Sequence, residues 1–448
     1  MDSIEAFLKE YEIEEVECLV PDMAGIARGK ILPAAKFVQG MRNNGLRIPE
    51  GVFVQTVNGR YPDNEDSVIS PAVQDVYLLP DPSTIRVVPW YSEPTAQVIC
   101  DAFFMDGSPV DIAARHLLRR ILALYEEKGW TPVIAPELEF FLVDVNTDPD
   151  YPLEPPIGRS GRRETSRQAF GVDAVNEFDP LFEDVYDYCE AQNLDVDTLT
   201  HEAGAAQMEM NFNHGEPMAL ADQAFLFKRT VREAGLRHSV YATFMAKPMQ
   251  DEPGSSMHIH QSLLSSETGK NLFAQKNGKD TKLFHQHIAG LQKHLPAMMP
   301  LLAPNVNSYR RLIPDSDAPI NTHWAYDNRT VGLRVPHSDP FGRRVENRLA
   351  GADANPYLAI AASLACGYLG MTQKLKPRSP VEGSAYRLAH TLPRTLYDAL
   401  TRFNGTRAIK PVLGEKFIDA VTIVKETELL AYQKVISSWE REHLLLNV

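Results

Sequence analysis

The sequence predicts an α+β fold in two domains, and three observations lead there. The chain has 448 residues, beyond the size at which one hydrophobic core keeps growing. Its first hundred residues are short alternating runs punctuated by Pro, Asp and Asn, a strand-and-loop signature. After the breaker cluster Met105-Asp-Gly-Ser-Pro109, helical periodicity sets in and alternates with further strands. The boundary is therefore placed at that cluster, giving domains 1–108 and 109–448.

Taken in order, residues 3–11 read as an amphipathic helix, with Ile4, Phe7 and Leu8 on one stripe. Residues 15–21 read as a strand that returns through a turn-rich segment into another. Residues 113–128 are helical: Leu117, Leu118, Ile121, Leu122, Leu124 and Tyr125 supply an apolar stripe and Gly129 ends it. A strand follows at 135–143, then a polar, Pro/Gly-rich loop over 146–167. Further helices are expected at 181–192, 218–235, 282–295, 354–374 and 428–442.

Composition narrows the class. The chain is 44% hydrophobic and 23% charged, ordinary for a soluble globular protein. It has no apolar run long enough for a bilayer, and its acidic start lacks the basic region of a signal peptide. No membrane association is expected. Cys18, Cys100, Cys189 and Cys366 are scattered without a CxxC pair, which fits a reducing cytoplasm and disfavours zinc ribbons and disulfide frameworks. A net charge of −14 argues against a nucleic-acid partner.

Five stretches carry the candidate chemistry. In Ala135-Pro-Glu-Leu-Glu-Phe-Phe-Leu-Val143, strand alternation puts Glu137 and Glu139 on one face and Leu138, Phe140 and Leu142 on the other. Two adjacent carboxylates among apolar groups repel each other and resist burial, so a cation must face them. An Arg, a Lys or a divalent metal would each serve, as would exposure at a sheet edge. In 201–212, Gln207, Glu209 and Asn211 form a polar face, with Glu202 on the Gly/Ala-rich turn before it; a solvated strand face gives the same pattern. His258 and His260 share a strand face after the Gly254-Ser-Ser loop, a spacing suited to a metal or phosphate contact. Arg310, Arg311, Arg329 and Arg334 cluster in an otherwise acidic chain, which suggests carboxylate or phosphate recognition or else local surface ion pairs. Finally Arg344, Glu346 and Arg348 alternate along one strand, either as an ion-pair ladder or as a metal ligand between two anion binders.

In this order and register, the segments closely resemble the glutamine synthetase family. The matching stretches are Glu137-Leu-Glu139, His201-Glu through Gln207-Met-Glu209, Lys247-Pro through Gly254-Ser-Ser-Met-His258-Ile-His260, Asn307-Ser-Tyr-Arg-Arg311, Asn328-Arg329 through Arg334, and Arg344-Val-Glu346-Asn-Arg348 through Ala354-Asn-Pro-Tyr357. The resemblance implies an N-terminal β-grasp domain and a catalytic domain built on an antiparallel sheet with surrounding helices. It implies a homo-oligomer, a double-ring dodecamer with active sites between subunits. It further implies ATP and two divalent cations, Mg²⁺ or Mn²⁺. Glu139, Glu202 and Glu209 would hold the first ion, and Glu137, His258 and Glu346 the second. Arg311 and Arg348 would bind the glutamate carboxylates beside Gly254. Arg329, Arg334 and Arg344 would face the transferring phosphate, with His260 and Ser262 near the nucleotide.

The sequence departs from that family where ammonia would bind. Ile48-Pro-Glu-Gly-Val-Phe53 replaces the family's Asp-Gly-Ser-Ser, so Glu50 would stand in place of the Asp. The flap Glu becomes Asp317, the expected base for the incoming amine, and one fewer methylene leaves more room there. Trp324, just beyond, reads equally as an amine-site wall or as core. Tyr397 lies in a stretch similar to an adenylylation loop, but Ala399-Leu-Thr does not match that loop and no modification is expected. These departures look like the γ-glutamylpolyamine synthetase branch, which joins glutamate to putrescine or related amines. The alternatives are an ordinary glutamine synthetase using ammonia and a catalytically silent relative with a regulatory role.

Overall fold

The computed structural model describes residues 2–63, 68–70, 72, 74–314 and 316–448. Two sheets organise them. The first contains β1 (Glu15–Pro21), β2 (Ala27–Pro33), β3 (Arg47–Pro49), β4 (Asp75–Pro80), β5 (Arg86–Val87) and β6 (Thr95–Phe103). Its order is β2-β1-β6-β4-β3, with β5 also on β6, and its central pair β1 and β6 runs parallel. The second contains β7 (Trp130–Asp144), β8 (Val196–His201), β9 (Gln207–Phe212), β10 (Val240–Thr243), β11 (Met257–Ser265), β12 (Trp324–Tyr326), β13 (Leu333–Val335) and β14 (Val345–Asn347). Its order is β12-β13-β14-β11-β7-β9-β8, with β10 on the far end of β7. The fold is α+β. The second sheet is antiparallel except for the β12–β13 pair, which is parallel.

One face of the second sheet is apolar for the reason the alternation gave. Leu138, Phe140 and Leu142 of β7 lie beside Met208 and Met210 of β9 and Met257 and Ile259 of β11, all fully buried. Helices Ala114–Glu126 and Pro217–Arg237 pack on β7. The helix Pro356–Thr372 is apolar all round, nearly every residue buried, and packs against both of these and against Lys282–Leu302. That last contact depends on glycine: a Cβ at Gly290 would lie 2.1 Å from the Cys366 carbonyl and 2.7 Å from Gly370 Cα.

Buried polar groups join the two sheets. Arg115, 2% exposed, donates to Asp81 (2.8 Å), Asp101 (2.9 Å) and Asp222 (2.9 Å). Asp222 also accepts from the Tyr357 hydroxyl at 2.6 Å. Arg229 pairs with Glu17 of β1, and Asn355 Nδ2 donates to the Asp22 carbonyl at 2.8 Å while its Oδ1 caps the helix that follows.

Several expected elements change in detail. A helix, Ala34–Arg42, lies inside the region read as strand and loop, its Phe37 and Met41 buried. The helices expected through 428–442 are Glu415–Gln433 and Ser438–Leu444, the second restarted by a Ser437/Glu440 capping box. The ladder at Arg344–Arg348 is shorter than a five-residue strand, since only Val345–Asn347 pair.

Candidate active site

Strand pairing assembles the site on the polar face of the second sheet. Glu137 stands opposite His258 and Asn211, and Glu139 opposite Glu209. His260 stands opposite Glu346, which stands opposite Arg334. Side chains two residues apart on each strand point the same way, so four neighbouring strands deliver one patch of carboxylates and imidazoles. Glu202 joins it from the turn between β8 and β9, beside Glu139 and Glu209.

The carboxylates exceed the local positive charge. Burial pushes Glu209 up to about 10, and Glu137, Glu139, Glu202 and Glu346 add repulsion. Burial and Glu202 push Glu139 up to about 8, against hydrogen bonds from Ser256. Glu202 is raised too, chiefly by burial. Glu346 differs: burial works against its charge, but Arg348, His258, His260 and Arg334 outweigh it and hold the carboxyl down at about 2. Its two oxygens accept from Arg334 and Arg348, each at 2.6 Å. Glu137 also stays ionised despite burial, because His258 (3.2 Å) and His260 (2.8 Å) donate to it.

Three groups bring donor atoms within 4.8 Å of one another: Glu139, Glu202 and Glu209; Glu137, Glu209 and His258; and Glu137, His260 and Glu346. All six expected ligands fall within them. Carboxylate oxygens with one imidazole form a hard donor set suited to Mg²⁺ or Mn²⁺. The surplus of repelling carboxylates supplies the charge that such a cation would neutralise, so the residues fit divalent ions.

Beside this patch lie two buried guanidinium groups. Burial lowers Arg311 to about 10, and the Nε atoms of both Arg311 and Arg348 are buried without a hydrogen-bond partner among the described residues. Such orphaned donors mark where an anion belongs. Gly254 makes the arrangement possible, since a Cβ there would meet Arg311 Cγ at 2.3 Å and the Ala246 carbonyl at 2.5 Å. On the other side of Glu137, a cavity of about 440 Å³ is lined by His260, Ser262, Arg344, Asn211, His214 and Phe341, among others. Arg344 Nε donates to His260 Nδ1 at 3.1 Å. Ser262 Oγ is spent on the Arg343 carbonyl at 2.8 Å.

The remaining expected residues sit apart. Arg329 is exposed, and its charge favours the ionised form of Glu202. Asp317 is exposed, with φ at +58°, a left-handed conformation that costs energy for any residue but Gly and recurs at functional loops. Its neighbour Asp315 lies outside the described residues. Glu50 is buried in the first sheet's region, where it accepts from Ser70 N at 3.1 Å and Lys416 Nζ at 3.5 Å; its hydrogen bonds among the described residues are with these groups and not with the cluster. Trp324 is core: it is 2% exposed and donates to the Arg378 carbonyl at 2.6 Å, with its ring against His285. The residue reading missed Ser256, which bonds both Glu139 and His258. Its place two residues before His258 was the available signal.

The chain matches the family model for the glutamine synthetase catalytic domain over residues 111–444. It is 33% identical to the gamma-glutamylputrescine synthetase PuuA of Escherichia coli K12, covering 99% of this chain and 94% of that one. It is 31% identical to a glutamate–isopropylamine ligase of a Pseudomonas species, covering 97% and 95%. A glutamine synthetase of Clostridium saccharobutylicum is 31% identical over 83% of this chain and 84% of its own. Among solved structures, an ADP complex of GmaS superposes with a TM-score of 0.85 at 26% identity, covering 99% of this chain and 100% of the other. Apo GmaS gives 0.84 at 27% identity, with full coverage of both.

Proposed function

This chain belongs to the glutamine synthetase family, and we propose that it is an ATP-dependent ligase joining the γ-carboxylate of glutamate to an amine, either a polyamine such as putrescine or a small monoamine. The observation that carries this reading is the pair of unpartnered, buried Nε donors on Arg311 and Arg348 beside the carboxylate patch. An amino acid with two carboxylates would give each of them an anionic partner.

The chemistry requires what this site offers. A carboxylate is a poor acyl donor, so the γ-carboxylate of glutamate first takes the terminal phosphoryl group of ATP, giving an acyl phosphate and ADP. The amine then attacks the acyl carbon and phosphate leaves. Arg311 and Arg348 hold the substrate carboxylates. Arg344, ordered by His260, brings positive charge to the cavity that suits the nucleotide, and Arg334, ordered by Glu346, is the second cation assigned to the transferring phosphoryl group. Glu139, Glu202 and Glu209 would hold one divalent ion, and Glu137, His258 and Glu346 a second. When bound, these ions supply charge neutralisation between the anionic substrates. Asp317 takes the amine's proton as general base, and Arg329 is assigned to the phosphoryl group. Glu50 as an amine contact requires a neighbouring subunit or a rearrangement of its pairing with Lys416.

We further propose a β-grasp domain at 1–108, a catalytic domain at 109–448 and a homo-oligomeric, double-ring assembly. Exposed apolar side chains over 435–448, including Ile436, Trp439, Leu445 and Leu446, support an assembly that covers them. A cytoplasmic setting is supported by four buried free cysteines. No helix among the described residues is long and apolar enough to cross a membrane. The second reading, ammonia as the amine, is favoured by the glutamine synthetase relative. The test is phosphate release from ATP with glutamate, amine and Mg²⁺ in wild type and Glu139→Ala. The ligase reading expects turnover that Glu139→Ala abolishes; unchanged turnover in that variant contradicts it.

A further inference from the structure

Ser256 stands immediately before β11 and is 4% exposed. Its N–H donates to Glu139 Oε2 at 2.8 Å, and its Oγ lies 2.7 Å from Glu139 Oε1. The same Oγ lies 2.9 Å from His258 Nε2. Glu139 and His258 belong to different donor groups. His258 turns its other nitrogen, Nδ1, toward Glu137 (3.2 Å) and Glu346 (3.7 Å).

We propose that Ser256 is a positioning residue whose single hydroxyl sets one ligand of each of the two divalent-cation sites, so that both sites are built together. The inference rests on the two-cation reading given under Proposed function. Without the hydroxyl, Glu139 loses its bond at Oε1 and keeps those at Oε2, from Ser256 N (2.8 Å) and Gln207 Nε2 (3.4 Å), so the Oε1 end of the carboxylate is no longer fixed. His258 loses its hydrogen bond at Nε2, which leaves the contact of Nδ1 with Glu137 to orient the ring. The base carrying the hydroxyl is rigid: the Ser256 carbonyl accepts from Glu139 N at 3.0 Å, Met257 N donates to the Ala350 carbonyl at 2.9 Å, and Ser256 bridges to Gly351. A fixed donor that orients a ligand from behind governs cation affinity as well as activity.

The test is Mn²⁺ binding to the full-length protein, followed by electron paramagnetic resonance, in wild type, Ser256→Ala, Ser256→Thr and Glu202→Gln. Loss of an orienting hydrogen bond typically weakens metal binding about 10- to 100-fold, so Ser256→Ala is expected to weaken both classes of Mn²⁺ by about tenfold or more. Ser256→Thr, which keeps a hydroxyl, is expected to recover most of that loss. Glu202→Gln is expected to weaken one class only. The metal-free melting temperature reports folding, and Ser256→Gly replaces Ser256→Ala if the latter does not fold. Wild-type affinity for both classes in Ser256→Ala, or weakening of one class alone, overturns the inference while leaving the two-cation reading intact. Failure of the wild type to bind two Mn²⁺ overturns both.

Discussion

Glu209→Gln should stabilise the metal-free protein while removing its activity. The group is pushed from its ordinary 4.5 up to about 10 by burial and by four neighbouring carboxylates. At pH 7 the unfolded chain carries it ionised, whereas the metal-free fold holds it protonated. Taking up that proton costs about 3 kcal/mol over the interval between 4.5 and pH 7. Glutamine has nearly the same shape and no proton to acquire, so up to about 3 kcal/mol of stability is recovered. The sign follows from the direction of the shift. A carboxyl raised in the fold penalises folding above its unfolded pKa, and the penalty vanishes as pH falls toward 4.5. The gain should therefore shrink to about 0.8 kcal/mol at pH 5. Denaturant unfolding in EDTA at pH 7 and pH 5, alongside turnover with Mg²⁺, measures both sides. A Glu209→Gln protein less stable than wild type in EDTA at pH 7 would refute the reasoning, as would one with wild-type turnover.

Other outcomes follow from the same geometry. Arg115→Met removes the guanidinium that Asp81 and Asp222 share and leaves Asp101 with Arg119; loss of one partner from such a buried network costs about 3–5 kcal/mol, read as a lower denaturation midpoint. Arg348→Lys keeps the charge but not the planar fork, and should raise the KM for glutamate about tenfold or more while leaving ATP affinity unchanged. Asp317→Asn should lower the amine-dependent rate about 100-fold or more with ATP binding intact by calorimetry; a normal rate would remove Asp317 from the chemistry.

The polar face of the site was legible because strand alternation has a period of two and tolerates no drift. Glu137 with Glu139, Gln207 with Glu209 and His258 with His260 needed only their spacing, and β7, β9 and β11 place them side by side. Which strands become neighbours is a matter of long-range pairing, and spacing alone does not give it. The direct pairing of Glu139 with Glu209, and of His260 with Glu346, emerges only from the sheet order. Trp324 lay beyond local reasoning for a similar reason: its partner, Arg378, is 54 positions away. So did Glu50, whose Lys416 is 366 positions away. The short helix Ala34–Arg42 was hidden because nine residues give barely two apolar contacts per face. Arg115 reads as one of many helix-surface arginines until Asp222 is brought against it.

Glutamate–amine ligation is tested most directly by a competition at equal concentration among putrescine, isopropylamine and ammonium, following phosphate release from ATP with glutamate and Mg²⁺. One of the organic amines is expected to support clearly faster release than ammonium, with accumulation of the γ-glutamyl amide of that amine. Faster release with ammonium, with glutamine as the product, would contradict this expectation.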